Sequence, residues 1–323
     1  MAKIVWRELL LRDNIVVNWK WGLLGLLLLV SLTSCVHKSP FSKEYYFQAM
    51  GDPGEIVVTV DTSSPERLIG PLSIADGASF SDLLARVDRL SVNLYTTRPT
   101  SDVTVITPED LSSYDYYGAL EGNIPAFLTN SILLWDPSWK KVEEGTTRYY
   151  HNDYLGLDVY APTSGLLLFA SDNYMKAYTT TYKQRQTKIP KGLADRMAQA
   201  LFGFYIGSPQ AMLDVGLALP ETVLPLIASM VFVIEENKTQ SYLLGGIITM
   251  KSAKLANTLS ILLKSSYIAD KRRNKEPLGD MTNLFILQDD VVYINDMELS
   301  EEQFASFSTI FGSLASLTTG EKR

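Results

Sequence analysis

Read for its apolar and polar positions, the chain runs through one order of elements twice, at an offset of roughly 125 to 150 residues. The stretch EIVVTVDTSSPERLIG (55–70) parallels LFGFYIGSPQAMLDVG (201–216), each an apolar strand followed by a Ser-Pro helix start and a short apolar helix. RLSVNLYTT (89–97) parallels SMVFVIEEN (229–237), in each case a strand leaving a short helix. YDYYGALEGNIPAFLTNSILLW (114–135) parallels SYLLGGIITMKSAKLANTLSILL (241–263), a strand and then a helix in which Leu255, Leu259, Leu262 and Leu263 recur at helical spacing. YLGLDVYAPTSGLLLFASDNYMKAY (154–178) parallels NLFILQDDVVYINDMELSEEQFASF (283–307), where two strands joined by a turn lead into a helix. Ser300-Glu301-Glu302-Gln303 is a capping box for the last of these, with Phe304, Phe307, Ile310 and Phe311 as its buried stripe.

Each half therefore reads β-α-(α)-β-β-α-β-β-α, and the hairpins EENKTQ (235–240) and LQDDVV (287–292) imply antiparallel pairing. The predicted class is α+β: two similar halves of antiparallel sheet with packed helices, from an internal duplication. The first repeat spans 54–184 and the second 192–314, with the seam near KQRQTKIPKG (183–192) and a flexible tail at 315–323. RPTSDVTVITPEDLSS (98–113) is an insertion in the first half, expected as an extra edge strand or an excursion. Gly245-Gly246 interrupts a strand run and, with no G-K-[ST] after it, makes no phosphate loop.

Ahead of the repeats the pattern changes to an unbroken apolar run, Trp21 to Leu32. Twelve residues fall short of the ~20 that a membrane span needs. They match the apolar region of an export signal, with Lys20 before it and the small Thr33 and Ser34 at its end. The run ends on Cys35, the one cysteine of 323 residues.

Leu32-Thr33-Ser34-Cys35 resembles the lipobox of bacterial lipoproteins. The resemblance covers the leader, and it implies that the Cys35 sulfur takes a diacylglycerol and that the bond before it is then cut. Leu32, Thr33 and Ser34 are then the signal-peptidase recognition residues. The chemistry agrees, since a thiolate is the nucleophile that a lipid transfer needs. Residues 1–16 set a mixed-charge stretch before a leader already complete from Val17, which points to translation starting at or near that residue. The chain as a whole resembles, in general style, the uncharacterised envelope lipoproteins of spirochaetes; no functional residue is carried over from them. Val36 supplies no aspartate retention signal after the cysteine, which favours an outer membrane, on its periplasmic face or at the surface, over the inner membrane.

Removing residues 1–34, with their four basic and two acidic side chains, leaves 25 basic against 34 acidic groups, a net charge of −9. That balance repels phosphate backbones, so no nucleic-acid partner is expected. With Cys35 lipidated no thiol is left for disulfides or cysteine metal sites. VHKSPFSKEYYFQAMGDPG (36–54), polar and marked by Pro and Gly at both ends, reads as part of a lipidated tether over 35–53, with Tyr45, Tyr46 and Phe47 expected to dock onto the domain.

Catalytic constellations are thin. Besides His37 in the tether there is only His151, in RYYHNDY, where turn residues are expected, and no G-x-S-x-G accompanies it. Ser138-Trp139-Lys140-Lys141 and Ser171-Asp172-Asn173 imitate two elements of penicillin-binding proteins, but Lys238-Thr239-Gln240 lacks the glycine of the third. Ser171-Asp172-Asn173 is better read as the N-cap of a helix bearing Tyr174, Tyr178 and Tyr182. Asp289-Asp290 and Glu235-Glu236 fall at turns, and DKRRNKEP (270–277) reads as a loop after a helix ending near Ile268.

No catalytic residue, metal or cofactor is therefore assigned, and the expectation is a non-enzymatic lipoprotein of the cell envelope that binds or scaffolds an envelope protein. The alternative is a carrier of an apolar ligand in a cleft between the halves, suggested by the aromatic wealth of Tyr116, Tyr117, Tyr149, Tyr150, Tyr160, Phe169, Phe202 and Phe204. A weaker one is an envelope hydrolase. An apolar cavity would favour the carrier, a bare apolar surface patch the scaffold, and a polar cleft at His151 the enzyme.

Overall fold

A computed structural model describes residues 45–62, 86–96, 105–106, 110–209, 212–213, 219–237, 241–278, 281–300 and 304. The lipobox and most of the helix expected after Ser300, including Phe307, Ile310 and Phe311, lie outside the described residues, as do the helices expected in 63–85.

The apolar strands pair as one antiparallel sheet of twelve. Outward from the centre on one side run β1 (Ile56–Asp61), β2 (Val87–Tyr95), β4 (Asp115–Gly122), β8 (Leu166–Ala170), β7 (Leu157–Thr163), β6 (Thr147–Asn152) and β5 (Lys140–Glu144). On the other side run β9 (Phe202–Gly207), β11 (Ile227–Glu236), β12 (Tyr242–Met250), β14 (Val291–Glu298) and β13 (Phe285–Gln288). The strands quoted above as parallels therefore hold corresponding places to either side of the β1–β9 pair. β1 and β9 are hydrogen-bonded in register, Val58 opposite Phe204, so at this seam the two halves share a continuous sheet. Among the described residues the hairpin β5–β6 has no counterpart on the second side. β3 (Val105–Ile106), in the 98–113 insertion, joins no edge of the large sheet and pairs in parallel with β10 (Met212–Leu213).

Central strands are buried on both faces, which is why they read as nearly continuous apolar runs. Along β11, Met230, Phe232 and Ile234 enter one core while Val231 and Val233 enter the other. Over the first face lie α1 (Ala126–Trp135) and α4 (Ala253–Arg273), contributing Leu133 and Ala256, Leu259 and Leu263. Leu262, expected in the stripe, is 38 % exposed, because the apolar arc of α4 is narrower than its leucines suggest. Ser252 caps α4, which runs to Arg273 and not to Ile268; Lys271, Arg272 and Arg273 form its last turn, where cations suit the exposed carbonyls. Phe304 stacks on Tyr242 at 3.4 Å between centroids.

The second face carries α2 (Tyr174–Tyr178), which continues into a π turn (Thr179–Lys183), and α3 (Lys191–Gln199). α3 lies close against the sheet because glycines make room: a Cβ on Gly203 would sit 2.8 Å from Met197 Cβ. Gly245 likewise leaves space for the Arg196 guanidinium and Gly246 for the Phe232 ring; β12 continues through both, while its register with β14 slips between Leu244 and Gly246. The segment Tyr46–Ala49 forms a 3-10 turn on this face with Phe47 fully buried, so Tyr45 to Met50 belong to the folded body and not to a free tether.

Beneath that turn lies a row of buried polar groups. Glu55 accepts from Lys176 Nζ at 2.6 Å, Asn93 Nδ2 at 2.6 Å and the Asp52 amide at 3.1 Å. Arg89 donates to Thr59 Oγ1 at 3.1 Å and to the Ala198 carbonyl, and its guanidinium lies 5.8 Å from the Phe47 ring centre. Burial lowers the Arg89 pKa, and Glu121, Asp61 and Tyr45 oppose that shift.

Candidate functional site

Cys35, with Leu32, Thr33 and Ser34, lies outside the described residues. His151 sits within β6, not in a turn, opposite Asp158 on β7; the polar His151-Asn152-Asp153 triplet hides a strand that the β5 and β7 ladders define. Its Nδ1 is 2.7 Å from Asp158 Oδ1 and its Nε2 is 3.3 Å from Asp153 Oδ1, and Asp153 also pairs with Lys140. Burial raises the Asp158 pKa, and the bond from His151 opposes that shift. Imidazole and carboxylates thus satisfy each other, and among the described residues no serine is joined to them by a hydrogen bond. Ser138 bonds to Asp136 beyond α1, Ser171 pairs with the Tyr116 backbone, and the Asn173 side chain caps α2. The two described elements of the imitation motif are thus each taken up by local or backbone bonds, and Lys238-Thr239-Gln240 lies outside the described residues. Among the described residues no group of three or more His, Cys, Asp or Glu could hold a metal.

Most aromatic residues named above are core: Tyr116, Tyr117, Tyr150, Phe169, Phe202 and Phe204 are buried. Burial holds the Tyr116, Tyr117 and Tyr174 phenols well above the ordinary tyrosine range, so they stay neutral.

The unusual surface is α1. Pro125 precedes it and Asp136-Pro137 ends it. One side is fixed: Leu133 is buried, and Asn130 bonds the Ala161 backbone twice, Nδ2 to the carbonyl at 2.9 Å and Oδ1 from the amide at 3.0 Å. Ala161 lies where the β7–β8 register slips, so the amide side chain satisfies backbone groups that the ladder leaves. The opposite side should be polar, yet Phe127, Leu128, Ile132, Leu134 and Trp135 are 86, 45, 50, 56 and 76 % exposed. At about 100° per residue these five span roughly 160° of the helix surface, with only Ser131 among them. Sequence reading missed this face because a helix apolar almost all round looks like an interior one. The signal was present in the absence of charge from Ala126 to Trp135. Among the described residues no helix is long and apolar enough to cross a membrane.

The fold is α+β, built on a large antiparallel sheet with helices on its faces. The same fold is seen in the treponemal protein TP0453. Its crystal form I matches with a TM-score of 0.51 at 14 % identity, over 82 % of this chain and 96 % of that one. Crystal forms III and IV give TM-scores of 0.50 at 13 and 14 % identity, over 83 % of this chain and 97 and 100 % of theirs. No family model and no curated protein matches the chain.

Proposed function

We propose that the protein is a non-enzymatic, lipid-anchored component of a bacterial cell envelope, held through Cys35 and docking a protein partner on the exposed face of α1. The lipobox supports the anchor, Val36 favours an outer membrane, and the spirochaete origin of the fold neighbour TP0453 agrees with the resemblance noted in the sequence.

The observation that carries the docking role is the apolar side of α1. Monomeric proteins seldom leave a contiguous apolar surface open without use. Burying each of these side chains is worth about 1.5–3 kcal/mol, and large aromatic residues dominate such interfaces. The helix is rigidly mounted through Asn130, so little ordering cost opposes binding.

The test is co-purification from gently solubilised envelopes of the wild-type chain and of Phe127→Ser/Trp135→Ser. The expected result is a discrete partner retained by the first and lost by the second at equal abundance and equal membrane attachment. Equal recovery from both would remove the docking role, and soluble wild-type protein would remove the anchor.

A further inference from the structure

The unmatched hairpin β5–β6 turns its tip, at Gly145-Thr146, toward the π turn after α2 and encloses an open pocket of about 530 Å³. One wall is aromatic. A column of tyrosines, Tyr149, Tyr174, Tyr178 and Tyr182, rises out of the core with centroid spacings of 4.9, 6.3 and 5.6 Å, and its last two members line the pocket. The other wall carries Thr146, Thr147 and Arg148. Arg148 Nε donates to Tyr160 Oη at 3.0 Å, which orients the guanidinium 5.7 Å from the Tyr160 ring centre. Among the described residues, no protein acceptor is hydrogen-bonded to its terminal nitrogens. Glu143, the acid of the pocket, stands opposite Arg148 in the β5–β6 ladder and attracts its guanidinium, while its ion pair is made with Lys141.

These features select a chemistry. Tyrosine faces offer flat apolar surface beside hydroxyls, which suits the C–H face and hydroxyl rim of a pyranose. The terminal nitrogens of Arg148 offer a planar fork for a carboxylate, with the Glu143 charge already engaged by Lys141. A pocket of this size lies within the ordinary range for small-molecule sites. We propose that this pocket binds a saccharide of one or two rings that carries a carboxylate. The site is separate from α1 and does not depend on the docking role.

Titration calorimetry of the full mature chain in detergent with N-acetylmuramic acid and with N-acetylglucosamine tests this, because the two sugars share a ring and differ in the lactyl carboxylate. The acid should bind at least about tenfold tighter, a difference of about 1.4 kcal/mol. Arg148→Ala should abolish that preference, and Tyr182→Ala should weaken both sugars while leaving the preference. Both side chains lie at the surface, and an unchanged melting temperature will show that each variant is folded. Equal affinity for the two sugars, no saturable binding of the acid up to about 10 mM, or a preference that survives Arg148→Ala would each overturn the proposal.

Discussion

Replacing Lys176 by methionine keeps the length and the apolar stem of the side chain and removes its charge. In the fold the ammonium is 2.6 Å from Glu55 Oε1 and 3.7 Å above the Tyr95 ring, whose phenol is pushed up to about 12 and so stays neutral. Without it the Glu55 carboxylate, 7 % exposed, keeps only Asn93 and the Asp52 amide. Removing one partner of a fully buried pair costs about 3–5 kcal/mol. The lysine side chain is 28 % exposed. Water screening therefore brings the expectation down to about 2–3 kcal/mol. Glu55→Gln should cost less, about 1–2 kcal/mol, because the freed ammonium can turn to solvent. The double variant should then be more stable than the sum of the two losses predicts, by about 1–2 kcal/mol. Urea unfolding followed by circular dichroism, with slopes compared to exclude a changed unfolded state, measures all four corners of the cycle. Strict additivity, or a Lys176→Met protein as stable as the wild type, would refute the assignment of this pair as the tie between α2 and the start of β1.

Three further outcomes are expected. Gly203→Ala places a methyl 2.8 Å from Met197 Cβ and 2.9 Å from Thr59 Cγ2; it should lower stability by about 1–3 kcal/mol in the same assay. Asp158, its pKa raised by burial, holds a proton more tightly folded than unfolded, so its contribution favours folding at low pH and is lost as pH rises through the folded value. In a His151→Gln background, the stability of the protein relative to its Asp158→Asn variant should therefore increase as pH falls through the carboxylate range, and a decrease would reverse the sign of the shift. Cys35→Ala should accumulate as a precursor with its leader attached and no acyl mass, read by intact-protein mass spectrometry.

The central strands themselves were legible because strands buried on both sides are apolar nearly throughout, as IVVTV, FGFYI and MVFVI are. The joining of both halves into one sheet rests on the long-range β1–β9 pairing, which local pattern does not carry. The hairpin β5–β6 was not legible. KKVEE is charged at four of five positions, all of them exposed, so its strand character comes from pairing with β6 and not from any apolar alternation. Those same charges suit an edge strand, since they discourage pairing with another sheet. His151 was misplaced for a related reason: Asn152 and Asp153 resemble turn formers, while the ladder to Asp158 is a long-range fact that local composition does not carry. The pocket beside this hairpin depends on the same pairing, and its tyrosine wall was visible only as one face of a helix. The face of α1 went unread because apolar spacing tells which residues seek cover without telling whether the fold supplies it.

The docking role rests most directly on what lies against α1 in the living cell. A photoreactive phenylalanine analogue placed at Phe127 or Trp135, irradiated in intact cells, should give one discrete protein adduct of the same mass from both positions. The control position Lys254, exposed on α4, should give none. Adducts with lipid alone, or the same protein adduct from Lys254, would contradict a partner seated on that helix.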